Sequence, residues 1–168
     1  MNPLLKLLLV TLAVPVQTHI FSLLPFRFPL DLTLIITYYV GYFMGKSRGM
    51  TMGAYLGLLT DVLSGEILGA QMFLKTLTGY LAAVFGFGIF SRDFPVHFLS
   101  LALFSFLNGF MTLLLVNLFG AAIPWKEAMV AVILPTMGLT ALVGSLYIFL
   151  KGKNRMDHGS LSEGERQN

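Results

Sequence analysis

The stretch GAYLGLLTDVLSGEILGAQMF, residues 53–73, places one aspartate, Asp61, in the middle of an apolar segment. Glycines recur around it in steps of four, with 41, 45, 49, 53 and 57 before Asp61 and 65 and 69 after it. Four residues are close to one helical turn, so positions 53, 57, 61 and 65 are predicted to form one gently winding helix face. A carboxylate costs little in water and much in hydrocarbon, so Asp61 needs water or a polar partner.

Catalytic chemistry would need further residues that the sequence does not supply. An intramembrane aspartyl protease requires two apposed carboxylates, but Asp31 is expected at the outer end of another segment. His19, His97 and His158 are far apart and match no metal-ligand spacing. The glycines of FGFG, residues 85–88, form a mere fragment of a nucleotide-binding fingerprint. We therefore predict no enzyme activity, no metal and no cofactor.

The composition indicates an integral membrane protein. Hydrophobic residues make up 56% of the chain and charged residues 11%, with a mean hydropathy of +0.79, which exceeds what one soluble core of this size could bury. Cysteine is absent, which excludes disulfides, thiolate metal sites and a cysteine nucleophile. The net charge of +3 comes from dispersed residues without a basic stripe, so nucleic acid is not expected as a partner.

The apolar runs predict an all-α membrane domain over residues 1–150. Six spans are expected at about 4–24, 30–45, 50–64, 67–90, 96–119 and 128–150, with Pro15 kinking the first. Residues 151–168 lose hydrophobicity and are predicted to form a disordered cytoplasmic tail. With both termini in the cytoplasm, most basic residues lie inside and two, Arg27 and Lys126, lie outside. The inside set comprises Lys6, Lys46, Arg48, Arg92, Lys151, Lys153, Arg155 and Arg166.

The third predicted span is short. Met50 to Ser64 rises about 22 Å, whereas the hydrocarbon layer is about 30 Å thick. The turn that follows would lie below the outer headgroups, where irregular backbone is tolerated inside protein or beside a water-filled cavity. We therefore expect a recess open to the outside, with Asp61 on its floor or wall. Lys75 lies at a comparable depth in the next span, so it is expected either to pair with Asp61 or to extend alone toward the outer surface.

The motif around Asp61 resembles the central motif of the rod shape-determining protein MreD family. The matching residues are Gly53, Gly57, Leu58, Asp61, Ser64, Gly65, Leu68 and Gly69, followed by Gly79 and Tyr80 in TGYL. The resemblance implies a six-helix subunit of the bacterial inner membrane, with a fold similar to the substrate-binding subunits of energy-coupling-factor transporters. It also implies membership of the cell-elongation machinery that supports peptidoglycan synthesis. The implied partners are the bitopic protein MreC, and further MreB, RodA and a penicillin-binding transpeptidase.

Two functions from different classes follow. The first is a non-catalytic scaffold that binds a membrane protein through the recess, and the second is a transporter subunit that holds a small molecule there. The scaffold is favoured because the recess offers few convergent polar groups, namely Gln17, His19, Asp61, Glu66, Gln71, Lys75 and Asn117. The predicted partner-binding residues are Asp61, Ser64, Gly65, Glu66, Gly69 and Lys75, and the predicted helix-packing residues are Gly53, Gly57 and Gly79. Leu113 is expected on the lateral, lipid-facing surface.

Overall fold

A computed structural model describes residues 11, 12, 14, 15, 17, 30–65, 67–86, 94–119 and 123–164, with the backbone alone for 151–164. The elements of this part are helical. They are α1 (Leu32–Met44), α2 (Lys46–Ser64), α3 (Ala70–Gly86), α4 (Phe94–Leu118), α5 (Trp125–Ala128), a π-helical segment (Met129–Ile133) and α6 (Leu134–Gly164). The first predicted span lies largely outside the described residues.

Helix boundaries follow from capping residues and glycines. Asp31 caps α1, because its carboxylate accepts a hydrogen bond from the Leu34 amide at 2.9 Å. Gly45 separates α1 from α2, and Gly65 ends α2 in the left-handed region at φ 67°. Compared with the predicted span, α2 begins four residues earlier, at Lys46. Its 19 residues rise about 28 Å, so the helix is longer than the predicted span of about 22 Å, while the bounds of the span itself stay a prediction.

Three glycines allow α1, α2 and α3 to cross at very short range. Gly41, Gly49 and Gly79 meet at one point, where a Cβ built on Gly49 would lie 2.5 Å from the Gly79 carbonyl oxygen. Further along α2, a Cβ on Gly53 would lie 2.8 Å from the Thr76 amide nitrogen. Any side chain at these positions would overlap backbone atoms. Close backbone approach of this kind is how small residues stabilise helix pairs in membranes.

The second part of the bundle is the pair α4 and α6, which packs on the first three helices through an aromatic and aliphatic core. The Tyr38 and Phe85 rings each lie 5.9 Å from the Phe104 ring. The buried core residues are Leu34, Tyr38, Ala82, Leu101, Ala102, Phe104, Ala141 and Ile148. The π-helical segment before α6 contacts α4 where Ile133 lies against Gly109.

Two of the described helical stretches, Phe94–Leu118 and Trp125–Leu150, are long and apolar enough to cross a membrane, while Leu32–Met44 is apolar but shorter. The count of six spans and their orientation stay predictions. The last helix continues to Gly164, whereas a disordered tail was expected from residue 151. Residues 151–156, KGKNRM, include several good helix formers, which suits continuation of the helix.

Candidate functional site

Asp61 binds the amino terminus of the neighbouring helix α3. Its Oδ2 accepts hydrogen bonds from the amides of Gly69 at 2.9 Å and Met72 at 3.1 Å, and its Oδ1 accepts one from Gln71 at 3.0 Å. The first-turn amides of a helix have no partner within the helix, and the helix dipole favours a negative charge there. Asp61 is 1% exposed. Its side chain is therefore a cap for α3 rather than a lining residue of an open recess.

Replacing Asp61 tests this capping role. We expect Asp61→Leu to lower the free energy of unfolding by about 2–3 kcal/mol, because three amides lose a charged acceptor. Asp61→Asn should cost less, since one amide oxygen still accepts a hydrogen bond. The measurement is denaturant unfolding of the purified protein in mixed micelles. Equal stability of Asp61→Leu and the unmodified protein would contradict the capping role.

Lys75 forms an ion pair with Asp31 inside the bundle. Its Nζ lies 3.2 Å from both carboxylate oxygens of Asp31 and also donates to the hydroxyl of Thr33. Lys75 and Asp31 are 1% and 7% exposed. The predicted pairing of Lys75 with Asp61 is therefore wrong, because each side chain has other partners. Lys75 is also too deeply buried to line an open partner site.

The ion pair is the centre of a polar network that joins four helices. Thr33 donates to Asp31 at 2.7 Å, and the Asp31 amide donates to Thr140 of α6 at 3.1 Å. Gln17 donates to the same carboxylate at 3.4 Å and accepts from the Thr33 amide at 3.2 Å. Asn108 of α4 donates to Asp31 at 3.4 Å. Burial of both charges is tolerated because nearly every lone pair and proton has a partner.

The sequence pattern did not identify four members of this network, namely Asp31, Thr33, Asn108 and Thr140. A signal was available, since Asp31 is an acid at the start of a span and Lys75 is a base near the start of another. Both were expected toward the outer side, and opposite charges at one depth are natural partners. Asp31 was instead expected at the outer end of its span, without an assigned partner.

Beside this network a side-chain hydrogen bond links the first turn of α3 to the last third of α4. Gln71 in the first turn of α3 donates to Thr112 of α4 at 3.0 Å, which places the two residues at one level. From Thr112, α4 continues to Leu118, or about 9 Å further at 1.5 Å per residue. We infer from this rise that the α2–α3 turn lies below the end of α4. We call the surface of this turn beside the end of α4 the step.

The predicted partner-binding residues divide into exposed and buried groups. Ser64 and Gly65 are exposed on the step and Gly69 is half-buried, while Asp61 and Lys75 are buried. Glu66 and His19 lie outside the described residues. The step also carries the exposed apolar side chain of Leu68, which is 72% exposed. Asn117 lies near the end of α4, where its side chain accepts from the Ile123 amide at 3.1 Å.

Two further expectations concern side-chain positions. Leu113, expected on the lateral surface, is 6% exposed and therefore buried. Residues on α4 that do face outward include Leu103 and Leu99, which are 50% and 71% exposed. His97 is buried and its Nδ1 lies 3.2 Å from the Tyr38 hydroxyl. The described part of the chain holds no group of three or more acidic, histidine or cysteine side chains that could bind a metal.

A bundle of apolar helices with two members long and apolar enough to cross a bilayer is typical of an integral membrane protein. The chain belongs to the rod shape-determining protein MreD family, whose model matches residues 2–153. No curated protein and no solved structure is significantly similar to it. Membership gives the chain a role in the determination of rod shape, in a family of membrane proteins that are not known as enzymes.

Proposed function

We propose that the protein is a non-catalytic scaffold of the rod-shape complex in the bacterial inner membrane, with both termini in the cytoplasm. In this proposal the step receives a membrane-proximal segment of an MreC-like bitopic protein. MreB, RodA and a penicillin-binding transpeptidase are further members of the complex, through which the scaffold supports peptidoglycan synthesis. Family membership supports the role in rod shape, and the step supports the site of binding.

The observation that carries this proposal is the combination of an exposed turn with a rigid base. Ser64, Gly65 and Leu68 are exposed, whereas directly below them Asp61 fixes the start of α3 through three hydrogen bonds. A partner segment would therefore meet a turn whose base is held in place, which lowers the entropy cost of binding. The exposed leucine supplies apolar area for that segment.

Photo-cross-linking from the step tests the proposal. A photoreactive amino acid at Leu68 should cross-link to a co-expressed MreC-like partner, because this apolar side chain of the turn is 72% exposed. The same probe at Leu103, which is 50% exposed on the lateral face of α4, is the control. The measurement is the yield of the partner adduct in membranes. Cross-linking at Leu103 without any at Leu68 would place the interface on the lateral face instead.

A further inference from the structure

Two buried amide oxygens beside the step have no hydrogen-bond donor among the described residues. They are Oε1 of Gln71 on α3 and Oδ1 of Asn108 on α4. Gln71 is 7% exposed, so bulk water does not compensate for the missing donor. A buried acceptor without a donor costs free energy that an apolar side chain of the same shape would not cost. The protein therefore retains an unfavourable local arrangement at this position.

Neighbouring bonds fix the orientation of both amides. The Thr112 hydroxyl donates its one hydrogen to the Asn108 backbone carbonyl at 2.9 Å, so it accepts from Gln71 Nε2 at 3.0 Å. Asn108 Nδ2 donates to the Asp31 carboxylate at 3.4 Å. Reversal of the Asn108 amide would direct its oxygen at that carboxylate. Both free oxygens thus require a donor from outside the network.

The charges nearby determine which donor is suitable. Asn108 Nδ2 and Lys75 Nζ both bond to Asp31 Oδ2, the latter at 3.2 Å. A second cation at Asn108 would lie within several ångströms of the Lys75 ammonium and would be repelled. The carboxylate is already neutralised by Lys75. A neutral group, such as an amide, a hydroxyl or a free backbone N–H, avoids this repulsion.

We propose that Gln71 Oε1 and Asn108 Oδ1 accept hydrogen bonds from a neutral donor on the partner segment that binds the step. This inference rests on the proposed function and adds the chemistry by which the partner is recognised. Asn108 and Thr112 are partly exposed, whereas the two oxygens are themselves covered, so binding must shift the side chains above them to admit the donor. In an apolar environment such bonds discriminate strongly, because an analogue without the donor leaves the two oxygens unpaired.

The test is the substitution Gln71→Met in the full chain, which removes the free oxygen and keeps a similar volume. The substitution removes the unfavourable acceptor but also the hydrogen bond that Gln71 donates to Thr112, so the thermal midpoint of the chain without its partner should change little. Retention of a co-expressed MreC-like partner in mild detergent should fall about tenfold, as expected for one lost hydrogen bond to a buried group. A loss of binding without a loss of stability would not follow from a purely structural role.

Gln17→Met is the matched control, because both ends of the Gln17 amide are bonded within the network. It should lower the thermal midpoint. A similar decrease for Gln71→Met would overturn the inference, as would unchanged partner retention while the Leu68 cross-link persists. Absence of that cross-link in the otherwise unmodified chain would overturn the proposed function and this inference with it.

Discussion

The variant Gly57→Leu is expected to be destabilised by more than about 3 kcal/mol and to accumulate poorly in membranes. A Cβ on Gly57 would lie 2.5 Å from the Gln71 carbonyl oxygen and 2.6 Å from the Met72 amide nitrogen. Overpacking against side chains costs about 1–3 kcal/mol, and here the obstacle is the backbone of α3, which cannot rotate away. Insertion of leucine must therefore separate α2 from α3 and pull Asp61 away from the amides that it caps.

Gly138→Leu is the matched control for this prediction. Gly138 lies in α6, and a Cβ built there meets no atom within 4 Å. This variant should accumulate and unfold like the unmodified protein. The measurements are the amount of protein in purified membranes and the unfolding midpoint in detergent. Normal accumulation of Gly57→Leu with an unchanged midpoint would show that α2 and α3 are not in close contact.

Removal of one member of the buried ion pair is the second large effect. Lys75→Met should lower the free energy of unfolding by about 3–5 kcal/mol, because Asp31 then keeps a buried charge without its counter-ion. The double variant Lys75→Met with Asp31→Asn should lose less than Lys75→Met alone. Asparagine is neutral and still caps α1 through the Leu34 amide. We expect a coupling energy of about 2 kcal/mol between the two positions.

The measurement for this pair is denaturant unfolding of the single and double variants in mixed micelles. Lys46→Met is the matched control, since Lys46 is exposed and its charge lies 5.5 Å from the Tyr80 ring centroid. An exposed contact of this kind is worth about 0.5–1 kcal/mol. Additive effects of Lys75→Met and Asp31→Asn would show that the two charges do not interact.

The sequence by itself determined the all-helical class of the protein and its family. Apolar content and run length are local quantities, and they identify membrane helices because no water is available inside a bilayer to bond exposed backbone. The glycine spacing was equally informative at Gly53, since a recurrent small residue on a helix predicts close packing. The MreD resemblance also came from residues within one short stretch, and the family match covers residues 2–153.

The tertiary structure decided which polar groups meet. Lys75 and Asp31 are 44 residues apart in sequence, and no local pattern specifies how α1 is placed against α3. Asp61 likewise gained its role from α3, whose amino-terminal amides lie beside it only after α2 and α3 have packed.

The rotation of α4 about its axis explains why Leu113 is buried, although it was expected on the lateral surface. Leu113 is buried and Leu103 is exposed on the same helix, yet both are leucines in an apolar run. In a soluble helix, polar residues mark the outward face. In a membrane helix both faces are apolar, so the inward face is set by packing with neighbouring helices and cannot be derived from hydrophobicity.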